Sequence, residues 1–218
     1  MRKQAFLFAL VTVIAGCGGA QRPCLQAGDC GDKHACVVGV CRRTNEAPVD
    51  VSLRRLVLRP DRLAVVTSRS RDAFDPAEIP FGRESAGQVV LLLHFDAPFS
   101  PDTDVRSAFL VLDPLPDVPP SSAPVPVSVV RILSPWTADG SSWNRLPRLS
   151  PIESTWRAST WGLRSLRIDV TAIVRRWREK RADDHGLALL AGPQDAFGAR
   201  YSTGIGHGQG PTLDIYLR

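Results

Sequence analysis

Residues 125–147, VPVSVVRILSPWTADGSSWNRLP, and residues 166–177, LRIDVTAIVRRW, decide the fold of this chain, together with the loop between them that holds Trp156 and Trp161. All five tryptophans fall in this stretch: Trp136, Trp143, Trp156, Trp161 and Trp177. Val125, Val127 and Val129 alternate with Pro126, Ser128 and Val130, the period of two of a half-buried strand. Pro135 stops the strand because proline cannot donate to a ladder. Asp139-Gly140 marks a turn, since glycine takes positive φ freely and aspartate bonds its own backbone. Trp136 and Trp143 flank that turn, each with a large apolar area and one N–H that needs a partner when buried. They are expected as core anchors at a corner, with a sugar-stacking platform as the competing reading. Leu166, Ile168 and Val170 alternate again. Thr171 then reads as the N-cap of a helix of about two to three turns. Ile173, Val174 and Trp177 share one face of it. Arg175, Arg176, Arg178, Glu179, Lys180 and Arg181 cover the rest, expected as a solvated face, with a polyanion-attracting surface as the alternative. Asp169, just before the helix, is expected to bond backbone rather than to act as a catalytic carboxylate.

Outward from this centre, Val89, Leu91, Leu93 and Phe95 alternate with Val90, Leu92, His94 and Asp96. Both faces are apolar over most of the run, so the segment reads as a central strand covered on both sides. Ala108–Leu112, Leu187–Leu190 and Leu213–Leu217 read as strands, and Phe197–Ser202 as a further candidate. Arg62–Thr67 opens the main domain, and Val51–Leu58 reads either as a first strand or as more linker. Ser68–Gly87 reads as loop. Residues 114–126 hold six prolines and form a rigid connection. Gly204, Gly206, Gly208 and Gly210 alternate in a loop that lacks G-x-x-x-x-G-K and is not a phosphate loop. Many short strands, frequent prolines and glycines, and one helix indicate an all-β antiparallel β-sandwich, jelly-roll-like, over residues 51–218. Roughly 165 residues are enough for one core.

These segments resemble the DNRLRE domain of bacterial secreted proteins, a family overlapping carbohydrate-binding module family 96. His94–Phe99 fits its first strand end, and Trp136, Thr137, Trp143, Asn144 and Pro147 fit its corner. Asp169, Val170, Thr171, Val174 and Trp177 fit its strand-helix step. Gly186, Leu187 and Leu189 fit the next strand, and Pro211 and Leu213 the closing one. The resemblance spans roughly residues 85–218 and is specific in order and spacing. Asp139 comes one residue late, Ser142 stands where threonine is usual, and the DNRLRE hexapeptide is not visible. The resemblance implies a β-sandwich attached to a polysaccharide-active or cell-surface protein.

The amino terminus reads as a targeting segment. Arg2 and Lys3 precede an apolar run, Ala5–Ala15, interrupted only by Thr12 and of signal-peptide length. Ile14-Ala15-Gly16-Cys17 resembles a bacterial lipobox. Residues 1–16 are then a lipoprotein signal peptide, Cys17 the acylated first mature residue, and residues 17–23 a tether. Loss of Arg2 and Lys3 with that segment lowers the formal charge from +5 to +3, too little to argue for nucleic acid. Cys24, Cys30, Cys36 and Cys41 follow at intervals of six, six and five, which in an exported chain reads as two disulfides within residues 24–43. Three pairings are possible and the sequence does not choose; the favoured one is Cys24–Cys36 with Cys30–Cys41. A four-thiolate zinc site competes, but no C-x-x-C pair is present and thiols oxidise in this compartment. So short a segment has almost no core, so the bridges are expected to hold it. Residues 44–50 read as a linker.

No G-x-S-x-G, H-E-x-x-H or EF-hand pattern occurs. His34, His94, His185 and His207 are scattered, and no metal or other cofactor is expected; a metal between His185 and His207 and a structural calcium at Asp183-Asp184 are the alternatives. The expected function is that of a non-catalytic binding or adhesion module for a polysaccharide. It is expected to be held by lipid on the bacterial cell envelope, at the outer membrane or cell surface rather than the inner membrane. Trp156 and Trp161, five apart in a polar loop, are the candidate stacking residues. Arg157 and Arg164 are the candidate partners for uronate carboxylates. For Trp161 the competing reading is packing at the sandwich edge. The alternatives are a structural lipoprotein contacting another envelope protein, and a polysaccharide lyase or hydrolase, for which Tyr201 and Tyr216 are the only tyrosines. The oligomeric state is not readable.

Overall fold

The computed structural model describes residues 24, 30–37, 39–43, 53–69, 75–97, 100, 102–115, 119, 123–160, 164–180, 185–206 and 209–218. Residues 1–23 apart from their expected role, the linker 44–50, Trp161, Asp183, Asp184 and His207 lie outside the described residues. The strands are β1 (His34–Val37), β2 (Val40–Arg43), β3 (Arg54–Leu58), β4 (Arg62–Thr67), β5 (Glu78–Phe81), β6 (Val89–His94), β7 (Val105–Leu112), β8 (Val125–Arg131), β9 (Ser154–Ala158), β10 (Leu166–Asp169), β11 (Leu187–Ala191), β12 (Ala199–Ser202) and β13 (Thr212–Leu217). The α-helix α1 runs Thr171–Glu179.

Two sheets form the body, one ordered β10-β7-β13-β3 and the other β4-β6-β11-β8-β9, antiparallel throughout. Set β4 aside and the chain enters the two sheets in the order of a jelly roll, eight strands wound as two Greek keys. Alternation explains the layering. Leu91, Leu93, Val127, Val129, Leu187 and Leu189 of one sheet meet Ala108, Leu110, Leu112, Ile168, Leu213 and Ile215 of the other in one core. The expected double-faced strand is β6. Its Val90 and Leu92 lie in a second apolar cluster, with Ala64, Val66, Val130, Ile132 and Ala188, beneath Trp136, Trp143, Leu146 and Leu149. The loop from Leu133 to Leu149 therefore lies over the outer face of the five-stranded sheet.

The ends of the sandwich are closed by pieces of different kinds. Ile173, Val174 and Trp177 of α1 join the main core at one of them. The helix starts differently from expectation. The Asp169 carboxylate accepts from the Thr171 N–H at 2.9 Å, while the Thr171 hydroxyl accepts from the Ala108 N–H at 2.9 Å. Val170 stands at the N-cap position and offers no side-chain cap; Asp169, one residue earlier, takes up the first helical N–H, and Thr171 satisfies β7 where its pairing with β10 ends. The ribbon β5–β12 contributes Ile79, Phe81, Ala199 and Tyr201 to the same core. β5 falls where loop was expected: Pro80 disguised it, and an edge ribbon tolerates a proline that a central strand does not. Glu78 of β5 is buried, and Arg200 grips it through two 2.5 Å contacts while Arg83 stands at 3.3 Å. Trp156 also departs from expectation, since it belongs to β9, where its partner is Val127.

The cysteine-rich segment folds as the hairpin β1–β2, with Cys24–Cys36 and Cys30–Cys41 joined. The sulfurs of Cys24, Cys30 and Cys41 lie within 4.8 Å of one another because they belong to these bridges, not because they surround a metal. Closing loops of this length by disulfides contributes roughly 3 kcal/mol each in the chain-entropy account. The bridges do not act alone. At the hairpin turn Gly39, with φ 78°, sits so close to the outer face of the four-stranded sheet that a Cβ there would be 2.5 Å from Phe109 and 2.6 Å from Arg167. Beneath the turn, Arg167 lies over the Phe109 ring at 4.2 Å and donates to Asp214 at 2.9 Å. Arg55 adds a second contact to the same Asp214 oxygen at 2.8 Å.

Candidate functional site

The corner loop carries a concave feature on the outer surface. A cleft of about 480 Å³ is lined by Ser134, Pro135, Trp136, Thr137, Arg145 and Pro147, among others. That volume falls within the range of small-ligand sites, about 300–1,000 Å³. Its floor is fixed. The Trp136 indole is 7% exposed and its Nε1 donates to the His185 carbonyl at 2.8 Å. Arg62 donates to the Trp136 carbonyl at 3.0 Å and lies 5.6 Å from the centre of its ring. The turn is tied by the Thr137 hydroxyl, which accepts from the Gly140 N–H at 3.2 Å, and by Ser141, which donates to the Thr137 carbonyl at 2.8 Å. Ser134 accepts from the Arg148 N–H at 2.9 Å. Trp136 is thus an anchor and not a stacking platform, and Trp143 is half-buried on the second apolar cluster. Arg145 is exposed, and its guanidinium makes no hydrogen bond or ion pair among the described residues. The cleft offers one free cation beside apolar rims from Pro135, Leu146 and Pro147.

Of the residues proposed from sequence, Trp156, Arg157 and Arg164 are described. Trp156 is half-buried, packs against the main core, and its Nε1 donates to the Ser154 hydroxyl at 3.1 Å. Arg157 is exposed on the opposite face of β9, as the two-residue period requires. Arg164 is exposed beyond the end of that strand. The strand therefore separates the indole from its neighbouring guanidinium. At the corner the sequence offers a stacking indole only as the competing reading and does not show the cleft beside Trp136. The only sequence signal for it was the surplus of small polar residues between Trp136 and Trp143.

The arginine-rich helix face is only partly solvated. Arg175 donates from Nε to the Val105 carbonyl at 2.9 Å and from Nη2 to the Arg106 carbonyl at 3.1 Å. Arg178 donates to the Thr103 carbonyl at 3.0 Å. These two cations hold the start of β7, leaving Arg176 and Lys180 to line a smaller cleft with Trp177 and Arg131. Tyr201 is fully buried; burial pushes its phenol well above the usual range, and the hydroxyl donates to the Ser159 carbonyl at 3.2 Å. It is a core residue, out of reach of a substrate.

His94 pairs with Asp61, Nδ1 to Oδ1, at 2.6 Å. Burial pushes the Asp61 carboxyl up. The hydrogen bond and charge of His94, its own backbone N–H and Arg62 outweigh that, and the net position is below the ordinary 3.8. A carboxylate lowered in this way adds stability above its unfolded pKa, lost as pH falls through the folded value. Asp61→Asn is expected to lower the melting temperature slightly at about pH 6. The deficit should shrink as pH falls below the ordinary 3.8 and the carboxylate takes up its proton. A melting series over that range checks it; a deficit constant with pH would show that the carboxylate charge is not what matters.

No protein-family model matches this chain, and no curated protein matches it either.

Proposed function

We propose that this protein is a non-catalytic, lipid-anchored cell-envelope module that binds a polysaccharide through the outer surface of its β-sandwich. The observation that carries this reading is the corner cleft, an open groove of about 480 Å³ whose Arg145 guanidinium is unpaired among the described residues. A preformed amphipathic groove suits a sugar chain, whose rings present apolar faces and hydroxyl edges, and the cation favours a sugar that bears an acid. The resemblance to the DNRLRE and family-96 modules supports the same class of ligand. The lipobox-like Ile14–Cys17 supports export and acylation at Cys17.

Retention of the soluble domain on immobilised neutral and acidic glycans tests the reading. Arg145→Ala is expected to weaken retention on the best glycan about tenfold, the loss of one charge-assisted hydrogen bond. Arg157→Ala with Arg164→Ala tests the rim of β9 in the same assay. Absence of retention on every glycan would remove the polysaccharide, leaving a structural lipoprotein that contacts an envelope protein. Mass spectrometry of Cys17 from membrane-extracted protein tests the anchor separately.

A further inference from the structure

The hairpin β1–β2 is seated on the four-stranded sheet at its turn. Its turn, at Gly39, is seated on Phe109 and Arg167. Its strands are four residues long, so its open end lies about 14 Å along the ribbon from the turn at the usual rise. There the register pairs His34 with Arg43 and Ala35 with Arg42. Lys33, His34, Arg42 and Arg43 are all exposed, and the two arginines carry no ion pair among the described residues. Asp32 is the single acid between residues 30 and 43 in the described set, and its carbonyl is engaged by His34 at 3.0 Å. Arg42 and Arg43 project to opposite faces of the ribbon, so the cationic end is charged on both sides.

We propose that this cationic end docks on an anionic lipid surface. Charge complementarity is one argument: basic groups within a Debye length of anionic headgroups are each attracted to them. Reach is the other, and it rests on the acylated-Cys17 reading. Cys24 is held beside the hairpin turn by a hydrogen bond from its N–H to the Gly39 carbonyl at 2.8 Å. Seven residue steps separate Cys17 from Cys24, a span of at most about 25 Å. That exceeds the length of the hairpin, so acyl chains on Cys17 and the charges at residues 33–43 can meet the same bilayer plane.

The test uses the oxidised chain from residue 17 onward with Cys17→Ser, so that no acyl chain contributes. Sedimentation with phosphatidylcholine vesicles is compared with sedimentation with vesicles that also contain phosphatidylglycerol. Binding is expected only to the anionic vesicles and is expected to fall with added salt. Arg42→Gln with Arg43→Gln should weaken it about thirtyfold. Arg145→Gln with Arg157→Gln, the same change in net charge elsewhere, should leave it near the parent value. Equal binding to both vesicle types, no binding to either, or equal loss in the two double variants overturns the proposal. Any of these results leaves the acylation of Cys17 standing, because that is read from its own mass.

Discussion

Asp214→Ala is expected to lower the midpoint of thermal unfolding by roughly 10 °C, an effect among the largest available to one substitution in this chain. Asp214 lies on β13 with its side chain 1% exposed, and Arg167 on β10 is 3% exposed. The pair is covered because the Gly39 turn closes over it. Removing the carboxylate leaves the guanidinium buried, with Tyr216 3.5 Å away and the Phe109 ring as its remaining partners. Breaking one side of a buried pair costs about 3–5 kcal/mol, since the surviving charge stays desolvated. Arg55 cannot take over, being itself a cation and half exposed. The double variant Asp214→Leu with Arg167→Met should recover most of the loss, because an apolar pair of similar volume carries no stranded charge. A double variant as unstable as Asp214→Ala alone would show that shape, not charge, sets the cost.

Gly186→Ala is expected to cost at least about 3 kcal/mol and to yield little soluble protein. Gly186 precedes β11 with φ 95°, a conformation that L side chains rarely adopt. A Cβ there would lie 2.0 Å from the Leu93 carbonyl oxygen, which belongs to the β6 backbone and has no side-chain freedom to yield. The Gly186 carbonyl also accepts from the Ile132 N–H at 3.0 Å, so a shift of this residue disturbs both neighbours of β11 at once. Denaturant titration of the purified variant measures the loss; a midpoint within error of the parent would mean that the approach to β6 relaxes without strain.

Gly186 and Asp214 show two different relations between sequence and structure. Gly186 enters the sequence reading only as a position the family resemblance fits, and the structure supplies the close approach that makes a side chain intolerable. Asp214 and Arg167 read only as outward positions of alternating strands. Nothing local distinguishes a solvated outward position from one covered by a segment more than a hundred residues away. The same limit hid β5, whose partner β12 follows more than a hundred residues later, and it made Trp156 look like a loop residue. The corner cleft was hidden for another reason. Trp136 and Trp143 were recognised as anchors, but the groove is the space left between the loop they hold and the polar turn at its tip. Empty space leaves no mark on residue periodicity.

The sequence by itself determined the sandwich, its double-faced strand β6, the apolar face of α1 and the backbone-bonding place of Asp169. Each of these follows from local periodicity or from one residue's own hydrogen-bonding chemistry. Only the tertiary structure decided which strands pair in each sheet, the seat of the disulfide hairpin on Phe109 and Arg167, and the use of Arg175 and Arg178 as clamps on β7. Those depend on which surfaces meet after the chain has closed on itself. Burial converts the same charged residue from a solvated group into one that must find a partner.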